Sequence, residues 1–130
     1  MGPSRARDLT LDTGALIAVE RSAPRVVLLL AETMDAGREI HLPAGVVGQA
    51  WRGGGRQARL ARLLQSPRVK VHPLDLPVAL AVGVLASASG VADVIDCHVA
   101  LVARSTGSKV LTSDTADLSR IDPSLVLEAV

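Results

Sequence analysis

The stretch "DVIDCHVALVARSTGSKVLTSD", residues 93 to 114, decides how this chain must fold. Residues 94 to 106 read as a helix, Gly107 ends it, and "KVLT" at 109 to 112 reads as a strand. A helix of about 13 residues runs ~20 Å, so one that turns tightly into a strand must run back against it. The first turn of the helix, with Asp96, then lies at the carboxyl end of the strand, where Asp114 follows.

The same logic applies at the other end of the chain. In "LTLDTGALIAVE", residues 9 to 20, an apolar strand (Asp8 to Leu11) stops at Asp12 and a helix over about 14 to 21 begins. An aspartate there can simply cap the helix, because its oxygen accepts one of the orphan N–H groups of the first turn. If both strands are parallel members of one sheet, however, Asp12 and Asp114 emerge on the same edge, and Asp96 joins them.

Between these ends the elements alternate. A helix is predicted over 25 to 36, beginning near Pro24 and ending at Gly37, followed by a short strand, "EIHL". Pro43 opens a helix toward Trp51, and Gly53, Gly54 and Gly55 interrupt it before "RQARLARLL". There Leu60, Leu63 and Leu64 repeat at helical spacing, with Arg52, Arg56, Arg59 and Arg62 on another face. "RVKVHP" alternates like a strand, and residues 75 to 88 return to helix before a small-residue loop, "SASG". After the strand at 109 to 112, "SDTAD" reads as a turn and "LVLEA" as a closing strand. Alternating strands and helices build a mostly parallel sheet covered on both faces, with the ligand crevice beyond the carboxyl ends of its strands.

Composition narrows the class. At 130 residues the chain is expected to be a single domain, with residues 1 to 7 a flexible N-terminal extension. Apolar residues make up 48% of it, with no Phe or Tyr and one Trp, so the core is aliphatic. The longest apolar runs fall far short of the ~20 residues that cross a bilayer. No signal-peptide pattern is evident, and the lone Cys97 cannot form an internal disulfide, so a cytoplasmic protein with no membrane association is expected. Net charge is only +1, but it is segregated: no acidic residue stands between Ile40 and Leu74, whereas five aspartates fall between Asp93 and Asp122.

Converging carboxylates repel one another unless a cation compensates. Oxygen ligands without the Cys and His sets of zinc sites favour Mg²⁺ or Mn²⁺. Such an ion can lower the pKa of a bound water and stabilise charge on a phosphodiester during cleavage. The basic segment with Arg52, Arg56, Arg59 and Arg62 is a candidate for RNA backbone contact, beside the plainer reading of a solvated helix face. Asp93 stands one turn before Asp96 and reads as the cap of that helix. His41, His72 and His98 lie in separate segments without metal-binding spacing, and Cys97 and His98, adjacent on a helix, cannot act as a nucleophile pair. Trp51 is expected to pack at a helix end or a subunit contact. "GGGRQA" follows a helix instead of a strand, so it reads as a flexible break and not a dinucleotide loop.

Taken together, the motifs resemble those of PIN-domain ribonucleases, and more narrowly the VapC toxins of bacterial toxin–antitoxin modules. "LDTGALIAVE" resembles the first motif, with Asp12 as acid and Thr13 as its hydroxyl neighbour; "DVIDCHVALVAR" resembles the third, with Asp96 as acid. "VLTSDTADL" resembles the fourth, with Thr112, Asp114 and Asp117 in the places of a hydroxyl and one or two acids. The resemblance implies a PIN-like three-layer α/β/α fold with a central, mostly parallel sheet of four or five strands. It implies Mg²⁺- or Mn²⁺-dependent endoribonuclease activity on tRNA or ribosomal RNA, with Asp12, Asp96 and Asp114 as metal ligands and catalytic acids. Pairing into a homodimer and neutralisation by a VapB-type antitoxin are implied as well.

The chain departs from the family at the second motif, where "PAGVVGQAWRGG" carries Gln49 in place of the usual glutamate. An amide adds no negative charge, so weaker metal binding is expected, with Asp93 or Glu20 as alternative sources of charge. The departure also opens a second reading: a catalytically weak or inactive PIN-fold module that holds RNA or antitoxin without cleavage. A receiver domain would need paired acids after the first strand, and a haloacid-dehalogenase-like phosphatase an acid at Gly14; neither pattern is present.

Overall fold

The computed structural model describes residues 6–130. Residues 1–5, most of the expected N-terminal extension, lie outside the described residues. Five strands, β1 (Leu9–Leu11), β2 (Ile40–Pro43), β3 (Val69–His72), β4 (Lys109–Thr112) and β5 (Leu127–Ala129), form one sheet in the order β3-β2-β1-β4-β5. Every neighbouring pair is parallel, with Leu9 opposite both Ile40 and Lys109. The mostly parallel sheet of the sequence reading is thus wholly parallel.

Parallel strands need crossover connections, and helices supply them: α1 (Thr13–Glu20), α2 (Pro24–Asp35), α3 (Ala44–Ala50), α4 (Ala58–Gln65), α5 (Leu76–Ser89), α6 (Val94–Thr106) and α7 (Thr115–Ile121). Helices α1, α2 and α4 pack together against the sheet, while α5, α6 and α7 form a second group in which α6 crosses β1, β2 and β4. Central β1 is therefore buried along its whole length, and Leu11, Leu16, Leu42 and Val99 are fully enclosed. Truncating one of these leucines to alanine would cost about 2 to 5 kcal/mol.

Three segments differ from the sequence reading. The small residues of "SASG" do not leave the helix: α5 continues to Ser89, and Gly90 (φ 73°) caps it. Small side chains alone do not break a helix; the left-handed glycine does. "SDTAD" is no isolated turn, because Asp114 caps α7 and the chain winds on to Ile121. The glycine break holds a single 3₁₀ turn at Gly55–Gln57, and regular helix resumes at Ala58.

Chain order gives the sheet its polarity. From β1 the chain steps outward to β2 and β3, then returns to the other side of β1 for β4 and β5. The direction of winding reverses between β1 and β4, and in open parallel sheets that switch point opens the ligand crevice. Asp12 follows β1 and Asp114 follows β4.

Candidate functional site

Each acidic residue of the rim owes its place to a helix start. Asp12 caps α1, with Oδ1 accepting from Ala15 N at 2.8 Å. Its other oxygen accepts from Thr112 Oγ1 at 2.5 Å and Ser113 N at 3.0 Å, which ties the ends of β1 and β4 together. Asp12 is 3% exposed, so capping and a buried structural tie both apply to it. Thr112 Oγ1 in turn accepts from Asp114 N at 2.7 Å. Asp93 caps α6 by accepting from Asp96 N at 2.9 Å, as its position in the sequence indicates, and Asp114 caps α7 by accepting from Asp117 N at 3.0 Å.

These caps bring Asp96, Asp114 and Asp117 together, each offering a carboxylate oxygen within 4.8 Å of the other two. Asp117, a supporting residue in the sequence reading, thus stands in the closest set, and Asp12 lies beside that set. Among the described residues no Lys, Arg or His forms an ion pair with any of the three. The consequence is electrostatic: burial first, then the charges of Asp93, Asp114, Asp12 and Asp117, push the Asp96 carboxyl up to about 6. A crowded group of carboxylates with no counter-charge, and with neither His nor Cys in it, is a donor set for a hard divalent cation. Asp12 Oδ1 accepts one hydrogen bond, from Ala15 N, and keeps a second lone pair that can add to such a set.

Gln49 comes to the same rim. Thr13 Oγ1 donates to Gln49 Oε1, so the second-motif position does adjoin the first motif, as an amide engaged by a hydroxyl. Glu20 does not replace the missing acid: it ends α1, roughly 12 Å along the axis from Asp12, and accepts from Gln57 Nε2 at 3.3 Å. Asp93 acts on the rim through its charge on Asp96.

The four arginines do not share one surface. Arg52 and Arg56 line a groove with Gln49 and the glycine loop. Arg59 and Arg62 instead border an apolar groove between α2 and α4, with Val27, Leu30 and Leu63.

Sequence reasoning missed three contributors. Gly14 lets α1 close on the end of β4, because a Cβ there would fall 2.0 Å from Ser113 Oγ. Ser113 supplies a backbone N–H to Asp12. Gln57 is 5% exposed and ties the loop after α3 to its own side chain. The small residue after "DT" hints at the first; the other two depend on contacts distant in sequence. Cys97 is buried, which raises its pKa, and its Sγ donates to Val91 O, so it has no nucleophilic character.

The family model described as PIN domain matches residues 9–123. A comparison with curated protein sequences gives no match. Among solved structures, FitAB bound to the IR36 DNA fragment aligns with TM-score 0.64 and 21% identity, over 93% of this chain and 94% of that one. FitAcB from Neisseria gonorrhoeae gives TM-score 0.64 and 23% identity over 92% and 95%. VapBC2 from Rickettsia felis, bound to a DNA fragment from their promoter, gives 0.65 and 17% over 95% and 98%. At such identities these likenesses concern the fold, while the family match spans most of the chain and runs from the strand before Asp12 past Asp117: the chain belongs to the PIN-domain family.

Proposed function

We propose that this protein is a metal-dependent endoribonuclease acting as the toxin of a VapBC-type toxin–antitoxin pair. The observation that carries the reading is the trio Asp96, Asp114 and Asp117, mutually close and without a basic partner, at the switch point of the sheet. In this reading Asp96 and Asp114, with Asp117 and the buried Asp12, hold Mg²⁺ or Mn²⁺. When bound, the ion acidifies a water and neutralises charge developing on the phosphate. Thr112 fixes Asp12 and the Asp114 backbone with one hydroxyl, and Asp93 orients the first turn of α6. Arg52 and Arg56, exposed beside Gln49, would hold the RNA backbone. The substrate class is tRNA or ribosomal RNA, by family resemblance.

One further surface bears on the partners. Leu76, Leu80 and Val84 are 71%, 63% and 72% exposed, one turn apart along α5, and no charged residue stands between Leu76 and Ala92. A contiguous exposed apolar stripe calls for a covering surface, and homodimerisation supplies one. A VapB-type antitoxin would neutralise the toxin, in line with the fold shared with the VapBC2 assembly.

Mapping RNA 5′ ends after inducing the wild-type chain and Asp96→Asn tests the function. Breaks that appear only with wild type, and in vitro only with Mg²⁺ or Mn²⁺, are expected. Gln49 favours a second reading, a module that binds RNA or antitoxin without cutting; identical 5′ ends in the two strains would select it.

A further inference from the structure

The chain's single Trp, with no Tyr or Phe anywhere, is not packed away. Trp51 follows the last residue of α3, at the helix end that is one of the two places expected for it, and is 39% exposed. An indole left open to water forgoes much of the stabilisation its burial would provide. Its surroundings are built, not loose. Gln57 Oε1 accepts from Arg52 N at 2.7 Å and Gly53 N at 3.0 Å, while its amide donates to Ala50 O at 2.8 Å. Gly53 (φ 68°) and Gly54 (φ 135°) take conformations that other residues rarely adopt. One buried side chain therefore holds both ends of the loop that displays Trp51, Arg52 and Arg56.

The chemistry displayed is uniform. Arg52 spends one guanidinium nitrogen on Gly48 O and Trp51 O; its remaining N–H groups, and all those of Arg56, have no partner among the described residues. The one acid lining this groove, Glu20, is already bonded to Gln57. The groove also contains Gln49, which Thr13 joins to the acidic rim. Trp51 does not itself line the groove but adjoins Arg52 in the chain, and a part-exposed indole next to free guanidinium groups on a fixed loop suits an unpaired nucleotide, whose base stacks while its phosphates pair with arginine.

We infer that Trp51 to Gln57 form a single-stranded RNA subsite beside the acidic rim: a base stacks on Trp51, Arg52 and Arg56 hold its flanking phosphates, and Gln57 positions all three. The inference rests on the ribonuclease reading for the identity of the ligand.

Because Trp51 is the only such fluorophore, its emission reports on the subsite directly. The full chain carrying Asp96→Asn, which prevents cleavage, is titrated with a short single-stranded oligoribonucleotide of mixed sequence and with the same sequence as a duplex. Saturable quenching by the single strand, weak response to the duplex, and about tenfold weaker binding with Trp51→Leu are expected. Replacing Arg52 and Arg56 together by Gln should flatten the salt dependence of binding by about 0.7 log units per lost phosphate contact. Binding seen by anisotropy of labelled RNA without any change in Trp51 emission, or no RNA binding at all, overturns the inference. So does a blue-shifted emission that depends on protein concentration, which would place Trp51 between two copies of the chain. Cleavage by the unmutated chain is followed in parallel. Quenching without cleavage leaves the subsite standing and removes the nuclease reading; cleavage without quenching does the reverse.

Discussion

Two groups of acidic residues sit at opposite ends of the same sheet, and they are treated oppositely. At the amino end, Asp8 and Glu39 precede β1 and β2; Asp8 meets His41 Nε2 at 2.9 Å and Glu39 meets Lys70 at 3.5 Å. Burial works to raise the Asp8 pKa, but the Glu39 N–H and the His41 ring outweigh it and leave the carboxyl below its usual value. His41 is itself held on its far side by His72 Nε2 at 2.8 Å. At the carboxyl end, Asp96 has burial and four like charges against it and no cation to offset them. Proximity of acids is common to both ends. The missing counter-charge is what separates the carboxyl-end group from the ion-paired acids of the amino end.

The contrast breaks first on activity. Asp96→Asn should abolish metal-dependent cleavage, by about a thousandfold or more, since several kcal/mol of transition-state stabilisation depend on the ion. The same substitution should leave the metal-free chain as stable as before or more so, because it removes a repelled charge; thermal unfolding in chelator checks this. Asp8→Asn should act the other way, costing about 1 to 3 kcal/mol in urea unfolding because His41 loses its partner, with cleavage preserved. Opposite signs for one chemical change at the two ends would establish the division.

Thr112→Val should cost about 1 kcal/mol and reduce the thermal shift produced by Mn²⁺, because Asp12 loses a donor and the Asp114 N–H its acceptor. A smaller effect is expected from pH. Folded Asp96 holds its proton up to about 6 against an ordinary value of 3.8, so between these values the folded state binds more protons than the unfolded. Its contribution to stability therefore falls as pH rises through that interval. His72 and His98, whose pKa values burial and a neighbouring His depress below 6.5, act in the opposite sense. The difference between wild type and Asp96→Asn isolates the rim: the wild type should lose stability relative to the variant from pH 4 to 6, as read by thermal unfolding without metal. Smallest of all, Gln49→Glu should tighten Mn²⁺ binding about fivefold or less by calorimetry, as one added charge at the rim edge contributes up to ~1 kcal/mol when partly solvated.

Local chemistry made much of this protein legible from its sequence. Asp12 and Asp93 each stand before a predicted helix, and the caps they form are the ones their positions indicate, because a short acidic side chain reaches only its own first turn. The α6–Gly107–β4 unit followed from helix length and the tightness of the turn, and with it the meeting of Asp96 and Asp114. Misreadings arose where composition was taken for conformation: "SASG" stays helical to Ser89, and "SDTAD" begins a helix.

Other features were decided only in three dimensions. The order β3-β2-β1-β4-β5 sets β1 beside β4, and nothing local to either strand dictates that choice. The pairing of Thr112 with Asp12 spans 100 positions of sequence, and the parting of Arg52 and Arg56 from Arg59 and Arg62 depends on where α2 packs. So does the contrast between paired and unpaired acids. A residue's type and spacing settle which bonds it can make within a turn, whereas counter-charge and burial come from segments brought together by the collapse of the whole chain.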